Sequence, residues 1–331
     1  MKINKHFKVP TGDILTVEGD KGELELISVG DYGKNKNIKA DFLGYTDEIE
    51  GVPHGELQPL SEKWVITVSS QYGCSMGCQF CDVPKIGEGV NATFNDLINQ
   101  VKTGVSIHPE IKHTERLNVH FARMGEPVFN DNILGATMYL AGTLKEKGWG
   151  FHPVVSTMMP RDNIQTEDFL REWIRIKNNF LNGEAGLQIS INSTDDLERN
   201  RSMGHNTLSL YDISNICDKL PNPKGRKYTL NFALADYEID EEKLRKLFDP
   251  DKFICKITPM HVTNSCQENN IKTKNGYTEF TPYKDVEERL KSVGFDVIVF
   301  IPSFEEDEGR ITCGNAILSG SKPECEYERV D

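Results

Sequence analysis

The stretch Gly73-Cys-Ser-Met-Gly-Cys-Gln-Phe-Cys81 places three cysteines, Cys74, Cys78 and Cys81, within eight residues. It follows KWVITVS (63–69), an apolar run typical of a buried strand. Three thiolates on one short loop suit an iron–sulfur cluster because soft sulfur ligands hold iron well. A structural zinc site normally needs four ligands, and no fourth Cys or His lies nearby in the sequence. The spacing therefore predicts a cluster in which one iron lacks a protein ligand.

Beyond this loop, strand-like and helix-like segments alternate along the chain. The later strand candidates are LNVHFA (117–122), FHPVVS (151–156), GLQISIN (186–192), YTLNFALA (228–235), FICKITP (253–259) and FDVIVFI (295–301). Six consecutive strand-then-helix units predict an α/β fold with a parallel barrel or open sheet. We expect a small β-rich N-terminal subdomain at 1–60, the barrel at 61–302 and a C-terminal loop at 303–331. In such barrels the chemistry lies on the loops that follow the strands.

Composition restricts the class of protein. The 331 residues are 37% hydrophobic and 27% charged, as is usual for a globular protein, and no apolar run approaches membrane-spanning length. The N-terminus lacks the apolar region of a signal peptide, and the eight cysteines are too unevenly spaced for a disulfide framework. We therefore expect a cytoplasmic protein without a membrane partner. A net charge of −13 makes extensive, sequence-independent RNA binding less expected.

A second motif, Met124-Gly-Glu-Pro127, follows the strand candidate LNVHFA. Gly125 permits close backbone approach, and Glu126 offers a carboxylate to an ammonium group. By itself this motif also suits an ordinary strand-to-helix turn. Together with the C-x₃-C-x-aromatic-C loop it resembles the radical S-adenosylmethionine (SAM) superfamily. That resemblance implies a [4Fe–4S] cluster on the three cysteines, SAM chelated by the open iron, and reductive cleavage of SAM to a 5′-deoxyadenosyl radical. Phe80 would lie against the adenine, and Glu126 would receive the amino group.

The likeness is closer to one family. Val68–Cys81, MGEPVFN (124–130), Ser-Thr at 156–157 and Cys313-Gly314 resemble RlmN and Cfr, over roughly residues 64–320. Those enzymes methylate adenine carbons in ribosomal RNA without cobalamin, and RlmN also acts on transfer RNA. The resemblance implies a partial (β/α)6 barrel. It also makes Cys313, which follows Asp307 and Glu308, a methyl carrier: one SAM methylates the thiolate, and a second forms the radical that activates the methyl group. A buried, inert cysteine is the alternative for Cys313.

The resemblance also implies further site residues and partners. Strand-end residues would contact SAM, namely Ser156, Ser190, Ile191 and Asn192. His261 lies near a family asparagine that contacts the nucleoside, and Asp41 is matched to a family glutamate with a proton-accepting role. Polar residues that simply end strands, and a structural histidine, are the alternatives. An external electron donor of the flavodoxin or ferredoxin type and an RNA or nucleobase-containing substrate are the implied partners.

Two features depart from the family pattern. The family has a resolving cysteine seven residues before the first cluster ligand, and Thr67 stands there. A hydroxyl cannot form the disulfide that releases the family's product, so Cys266, after the sixth strand, is a candidate substitute. Cys217, Cys255 and Cys325 are less well placed. The family also has a helical RNA-binding domain before its small strands, whereas the roughly sixty residues before this barrel have β patterns.

Three functions remain open at this point. The first is RlmN/Cfr-like methyl transfer to an adenine-type nucleobase through Cys313. The second is a radical SAM enzyme that performs a different reaction on a substrate other than ribosomal RNA. The third is a cluster-bearing redox or iron sensor, which would release no 5′-deoxyadenosine when given SAM and reductant.

Overall fold

The computed structural model describes residues 1–31, 48–49, 52–53, 57–273, 281–300, 304–324 and 327–330. Its strands are β1 Ile3–Val9, β2 Gly12–Gly19, β3 Gly22–Val29, β4 Glu48–Ile49, β5 Val52–Pro53, β6 Lys63–Val68, β7 Gln71–Gly73, β8 Glu88–Asn91, β9 Arg116–Phe121, β10 Phe151–Thr157, β11 Gly186–Ser190, β12 Tyr228–Leu234, β13 Phe253–Pro259, β14 Asp296–Val299 and β15 Glu328–Val330. Its helices are α1 Phe94–Ser106, α2 Asn132–Glu146, α3 Thr166–Arg175, α4 Asp196–Ser202, α5 Leu210–Lys219, α6 Glu241–Leu247, α7 Asn264–Glu268, α8 Thr281–Ser292 and α9 Phe304–Glu308.

In the described part of the chain, eleven strands form one sheet in the order β14-β13-β12-β11-β10-β9-β6-β3-β2-β1-β15. The seven strands from β6 to β14 in this order are parallel to their neighbours. β3, β2, β1 and β15 continue the sheet with antiparallel pairing. The α/β fold with a partial parallel barrel is confirmed. The N-terminal strands extend the barrel's own sheet, and the proposed division at residues 60 and 302 stays a prediction.

Alternation along the strands separates a helix-facing side from the barrel interior. In β6, Trp64, Ile66 and Val68 are fully buried in the core that the helices cover, whereas Val65 and Thr67 are half-buried on the other face. The same alternation runs through β12 and β13. Because successive side chains of a strand point to opposite faces, the half-buried residues line the concave interior.

The C-terminal segment returns across the molecule after β14. β15 pairs with β1, and Ile317 packs in a small apolar cluster with Phe7, Val9 and Ile14. Before that pairing, Gly314 contacts Asp82 next to the cysteine loop, and Ile317 and Leu318 contact Glu25 of β3. Among the described helices, none combines the length and apolar character needed to cross a membrane.

Candidate active site

The three predicted cluster ligands lie on the loop that follows β7. Cys78 is buried, and Cys74 and Cys81 are half-buried. Backbone hydrogen bonds hold the loop at both ends: the Cys74 amide donates to the Gly87 carbonyl (3.1 Å), and the Gln79 amide donates to the Ser202 carbonyl at the end of α4 (2.9 Å). These contacts place the loop at the carboxyl end of the parallel strands, where barrel enzymes carry their chemistry.

The turn after α4 covers the cysteine loop closely. Met203 is fully buried and packs against Met76 and Cys78. Gly204 has φ of +76°, and a Cβ there would lie 2.6 Å from backbone atoms of Gly77. Only glycine fits this contact, since any side chain would combine an unfavourable backbone conformation with overlap. The cover therefore depends on glycine at position 204.

The electrostatics of the thiols favour a bound cation. Burial raises the pKa of Cys78 well above its usual range, and the nearby charges of Cys81, Cys74, Glu126 and Cys313 raise it further. In the described part of the chain no three His, Cys, Asp or Glu side chains converge on a single metal ion. A cubane cluster binds each thiolate to a different iron, so its ligands stand farther apart. Three soft, grouped thiols on one loop suit such a cluster better than a structural zinc ion.

Gln71 connects the cysteine loop with the Gly125-Glu126 turn. Its side-chain oxygen accepts from the amides of Ser75 (3.2 Å) and Glu126 (3.0 Å), and its side-chain nitrogen donates to Asn91 (2.8 Å). Gly125 has φ of +95°, and a Cβ there would lie 2.6 Å from the Gln71 side chain. Gln71 lies three residues before Cys74, but no local pattern in the sequence predicts this bridging role.

Glu126 is a buried carboxylate without a cationic partner among the described residues. Its side chain accepts from the amides of Met158 (2.8 Å) and Val128 (3.4 Å). Burial raises the pKa of Glu126 to about 7, although hydrogen bonds from Met158, Thr157 and Val128 act to lower it. An incoming ammonium group would supply the missing positive charge, which fits the role predicted for this residue.

The loop around Phe80 is tied to α7. The Phe80 carbonyl accepts from the Thr263 hydroxyl (2.9 Å), and Asp82 accepts from the amide (2.9 Å) and hydroxyl (2.7 Å) of Ser265. Asp82 is fully buried. The Phe80 ring is half-buried beside Cys74, Cys81 and Met203, so it lies at the place where a group bound to the cysteine loop would be.

The strand-end residues divide into two kinds. Ser156 and Ser190 are half-buried on the interior face at the ends of β10 and β11. Ile191 is fully buried in the core, so only its backbone could meet a ligand. Asn192 has φ of +59°, and its side-chain oxygen accepts from the Ala233 amide (3.0 Å). Asn192 therefore also joins the ends of β11 and β12.

Cys313 is exposed and lies close to the cluster cysteines. The Asp82 amide donates to the Gly314 carbonyl (2.9 Å), which fastens the C-terminal loop directly to the cysteine loop. The Cys313 thiol is within electrostatic range of both Cys78 and Cys81. Burial in the protein raises the pKa of Cys313, whereas the charges of Lys256 and Arg123 lower it. Cys313 thus remains exposed while its thiol lies within electrostatic range of Lys256, on the interior face of β13.

A buried ion pair holds the Cys313 loop from both sides. Arg123, which lies between β9 and the Gly125-Glu126 turn, pairs with Glu25 of β3. Both side chains are almost inaccessible to solvent. Arg123 donates to the Arg310 carbonyl (2.9 Å), before Cys313. After Cys313, Glu25 accepts from the amides of Ile317 (3.2 Å) and Leu318 (3.0 Å). We call this pair the clamp.

Glu25→Gln is expected to lower the free energy of unfolding by about 3–5 kcal/mol because it leaves the Arg123 charge buried without its partner. Urea unfolding would measure this loss. Hydrogen exchange at the amides of Ile317 and Leu318 should also accelerate. Arg171→Gln, which breaks an exposed pair with Glu167 on α3, is the control and should cost no more than about 0.5 kcal/mol. Unchanged exchange at residues 317–318 in Glu25→Gln would show that the clamp does not hold the loop.

His261 and Asp307 form a second link to the same loop. The His261 ring nitrogen Nδ1 lies 3.0 Å from the Asp307 carboxylate. Asp307 also accepts from the Thr312 hydroxyl (3.0 Å), next to Cys313. Burial acts to raise the pKa of Asp307, but the hydrogen bond and charge of His261, with Thr312 and Arg310, leave that pKa lowered. The structure therefore gives His261 a defined partner in the loop.

The other residues singled out in the sequence lie as follows. Thr67 is half-buried on the interior face, paired with His120 of β9. Cys266 is fully buried on α7, and its thiol contacts the His261 carbonyl (3.2 Å), which turns it away from solvent. Cys217 and Cys255 are buried in the core. Asp41 and Cys325 lie outside the described residues.

Comparison with known proteins places this site in a family. No protein-family model matches the chain. It is 34% identical over 226 residues to a probable dual-specificity RNA methyltransferase RlmN of Chlorobaculum tepidum, covering 67% of this chain and 57% of that protein. It is 26% identical over 224 residues to the dual-specificity RNA methyltransferase RlmN of Syntrophotalea carbinolica, covering 66% of this chain and 55% of that protein. The chain thus spans little more than half the length of these curated relatives.

Among solved structures, a radical SAM methyltransferase from Sphaerobacter thermophilus superimposes with a TM-score of 0.61 at 18% sequence identity. The alignment covers 92% of this chain and 77% of that one. At this identity the likeness concerns the fold. The sequence relatives, the cysteine and Gly-Glu-Pro motifs and this fold together identify the chain as an RlmN-like member of the radical SAM superfamily.

Proposed function

We propose that this protein is a radical SAM methyltransferase that transfers a methyl group to an adenine-type nucleobase, in RNA, through Cys313. The observation that carries the proposal is the position of Cys313, exposed to the barrel interior, next to the cluster cysteines and fastened to their loop. The sequence relatives are named as RNA methyltransferases, which supports the same chemistry.

Cys74, Cys78 and Cys81 would hold a [4Fe–4S] cluster, which supplies the electron for SAM cleavage when bound. Glu126 would receive the ammonium of SAM, and Phe80, Ser156 and Ser190 would border the rest of the cofactor. The Cys313 thiolate would attack the methyl carbon of SAM, so that a new S–C bond forms and S-adenosylhomocysteine leaves. The clamp keeps this thiol at the interior while leaving it accessible.

SAM affinity is expected to rise with pH. With its pKa at about 7, Glu126 retains a proton in the folded protein that it loses in the unfolded chain above about 4.5, so its contribution to stability falls as the pH rises between these values. An ammonium ligand needs the ionised carboxylate. Calorimetric titration should therefore show SAM binding about fivefold to tenfold more tightly at about pH 7.5 than at about pH 6. Glu126→Gln should bind weakly at both; an equal rise in that variant would assign the titration to another group.

A second function, a radical SAM reaction without methyl transfer, is favoured by one observation. Thr67 occupies the place of the resolving cysteine, and Cys266, the suggested substitute, is buried with its thiol against a carbonyl. Product release by disulfide formation would need a rearrangement of α7. In this alternative Cys313 has another role, and the acceptor is not ribosomal RNA.

Mass spectrometry of Cys313 separates the two. Protein reconstituted anaerobically and incubated with SAM carrying a deuterated methyl group should contain S-methyl-Cys313, and the label should pass to an adenine-containing RNA on addition of reductant. Cleavage of SAM with Cys313 unmodified would favour the alternative. The electron donor of the flavodoxin or ferredoxin type, the RNA partner and the cytoplasmic location belong to this proposal and stay predictions.

A further inference from the structure

Four cationic side chains surround one residue of the barrel interior, although the whole chain carries a net charge of −13. That residue is His120, on the interior face of β9. Burial lowers its pKa to about 3, and four cations lower it further, namely Lys256, Arg226, Lys63 and Arg116. A concentration of one sign of charge inside a cleft attracts ligands of the opposite sign. The interior is therefore suited to an anionic ligand.

Three of these cations already have partners. Lys63 pairs with Asp31 at 2.9 Å. Arg116 donates to the Asn118 side chain (3.3 Å), and Arg226 donates to the Glu184 carbonyl (3.4 Å). All three belong to the end of the barrel where the strands begin, away from the cysteine loop. These three cations add to the positive electrostatic potential at His120, but a ligand near Cys313 would not contact them.

Lys256 is different. It lies in the middle of β13 on the interior face, half-buried, with its ammonium nitrogen 5.2 Å from the centroid of the Phe300 ring. Among the described residues it forms no ion pair. Asp31, a carboxylate that acts on its charge, is already paired with Lys63. A cation held inside a protein without a counter-ion is costly unless a ligand brings one.

Among the described residues, the side-chain oxygen of the residue beside Lys256 has no hydrogen-bond donor. Strand register places Asn231 of β12 beside Lys256, and Ser190 of β11 beside Asn231. The Asn231 side-chain oxygen is buried and accepts no hydrogen bond among the described residues. A buried acceptor of this kind normally has a partner, so this oxygen is open to a donor from a ligand or a water molecule. The Lys256 ammonium and the Asn231 oxygen, which has no described donor, thus lie side by side on the interior face. Ser190, on the next strand, is the neighbour of Asn231.

We propose that Lys256 and Asn231 form a subsite for the phosphorylated ribose of the acceptor nucleotide. The Lys256 ammonium pairs with the phosphate, and the Asn231 oxygen accepts from a ribose hydroxyl. This inference rests on the proposed function, in which the base must reach Cys313. Lys256 acts on the Cys313 charge as well, so phosphate and methyl carrier lie within electrostatic range of the same ammonium.

The Cys313 thiolate is the competing counter-ion for Lys256. It has that role only until the sulfur is methylated, because a thioether carries no charge. In the proposed function the acceptor reacts with the methylated cysteine, so the Lys256 charge is then unbalanced and available to the phosphate. The order of events thus favours the nucleotide as the anion that Lys256 meets during methyl transfer.

The test compares adenosine with its 5′- and 3′-monophosphates as ligands. Calorimetric titrations would use the anaerobically reconstituted protein after Cys313 has been methylated by SAM. One of the monophosphates should bind at least about tenfold more tightly than adenosine, a ratio that corresponds to one ordinary charge pair. In Lys256→Met the ratio should fall to about one, and Lys256→Arg should retain part of it. Lys145→Met, an exposed lysine on α2, is the matched control and should keep the full ratio.

Equal binding of adenosine and both monophosphates, or no measurable binding of any of them, would overturn the subsite. An unchanged ratio in Lys256→Met with slower alkylation of Cys313 would also overturn it, and would leave Lys256 as the counter-ion of the thiolate alone. Asn231→Leu should weaken adenosine and its monophosphates alike. S-methyl-Cys313 is measured in the same samples: its absence, with the phosphate preference retained, would sink the proposed function while the subsite stands.

Discussion

Anaerobically reconstituted Cys78→Ala protein is expected to lack the brown absorbance of an iron–sulfur cluster and to release no 5′-deoxyadenosine from SAM. Cys78 is the buried member of the three cysteines, and it contacts Met76 and Met203 beneath the turn that covers the loop. The protein supplies only three thiolates to the four irons of the cluster. Two remaining thiolates are therefore too few to hold it. Iron analysis, visible spectra and chromatography of the SAM products would measure the loss, which should be complete.

Cys217→Ala is the matched control. Cys217 is equally buried, but it lies on α5 in the helix-facing core. The substitution removes one thiol and leaves a small cavity, with a cost of about 1–2 kcal/mol in unfolding free energy and no loss of iron. If Cys78→Ala retained both iron and SAM cleavage, the assignment of the cysteine loop to the cluster would be wrong, and the radical SAM mechanism would have no foundation in this chain.

Cys313→Ser is expected to retain the cluster and SAM cleavage but to lose methyl transfer by at least about a thousandfold, since the nucleophile itself is removed. Serine keeps the size and polarity of the side chain, so the clamp and the Asp82–Gly314 bond should persist. A hydroxyl is a poor nucleophile at neutral pH unless a base activates it. Label from deuterated SAM should then appear neither on the protein nor on the RNA.

The control for this variant is Cys266→Ser, at the buried cysteine of α7. If Cys266 resolves the product, the substitution should leave S-methyl-Cys313 intact and slow only the release of methylated product. If Cys266 is structural, as its bond to the His261 carbonyl indicates, turnover should change little. Methyl transfer at the normal rate in Cys313→Ser would exclude Cys313 as the carrier.

Local patterns in the sequence were enough for the fold class and for the cysteine loop. The strand β6 alternates between buried and half-buried residues. This two-residue period can be read from the segment KWVITV alone, without knowledge of the strands that pair with it. Cys74, Cys78 and Cys81 are close in space because they are close in sequence. Gly125 and Glu126 follow a strand end, so their place at the carboxyl edge of the sheet followed from the βα order alone.

Contacts between distant parts of the chain leave no local pattern in the sequence from which they could be predicted. Glu25 and Arg123 are 98 positions apart, and each looks like an ordinary charged residue at a strand, yet together they hold the Cys313 loop. The partnership of His261 with Asp307 likewise depends on how the C-terminal segment crosses the interior.

The sequence by itself determined the parallel α/β fold, the three cysteines and the carboxylate of the Gly-Glu-Pro turn, because strand periodicity and short loop spacing are local properties. Only the tertiary structure decided which charges lie beside Cys313. It also decided that Lys256, which has no ion-pair partner among the described residues, shares a layer of the barrel wall with the Asn231 oxygen, which has no described donor. The reason is physical: burial and strand register are set by elements far apart in the chain, and they determine whether a charged side chain is solvated, paired or left for a ligand.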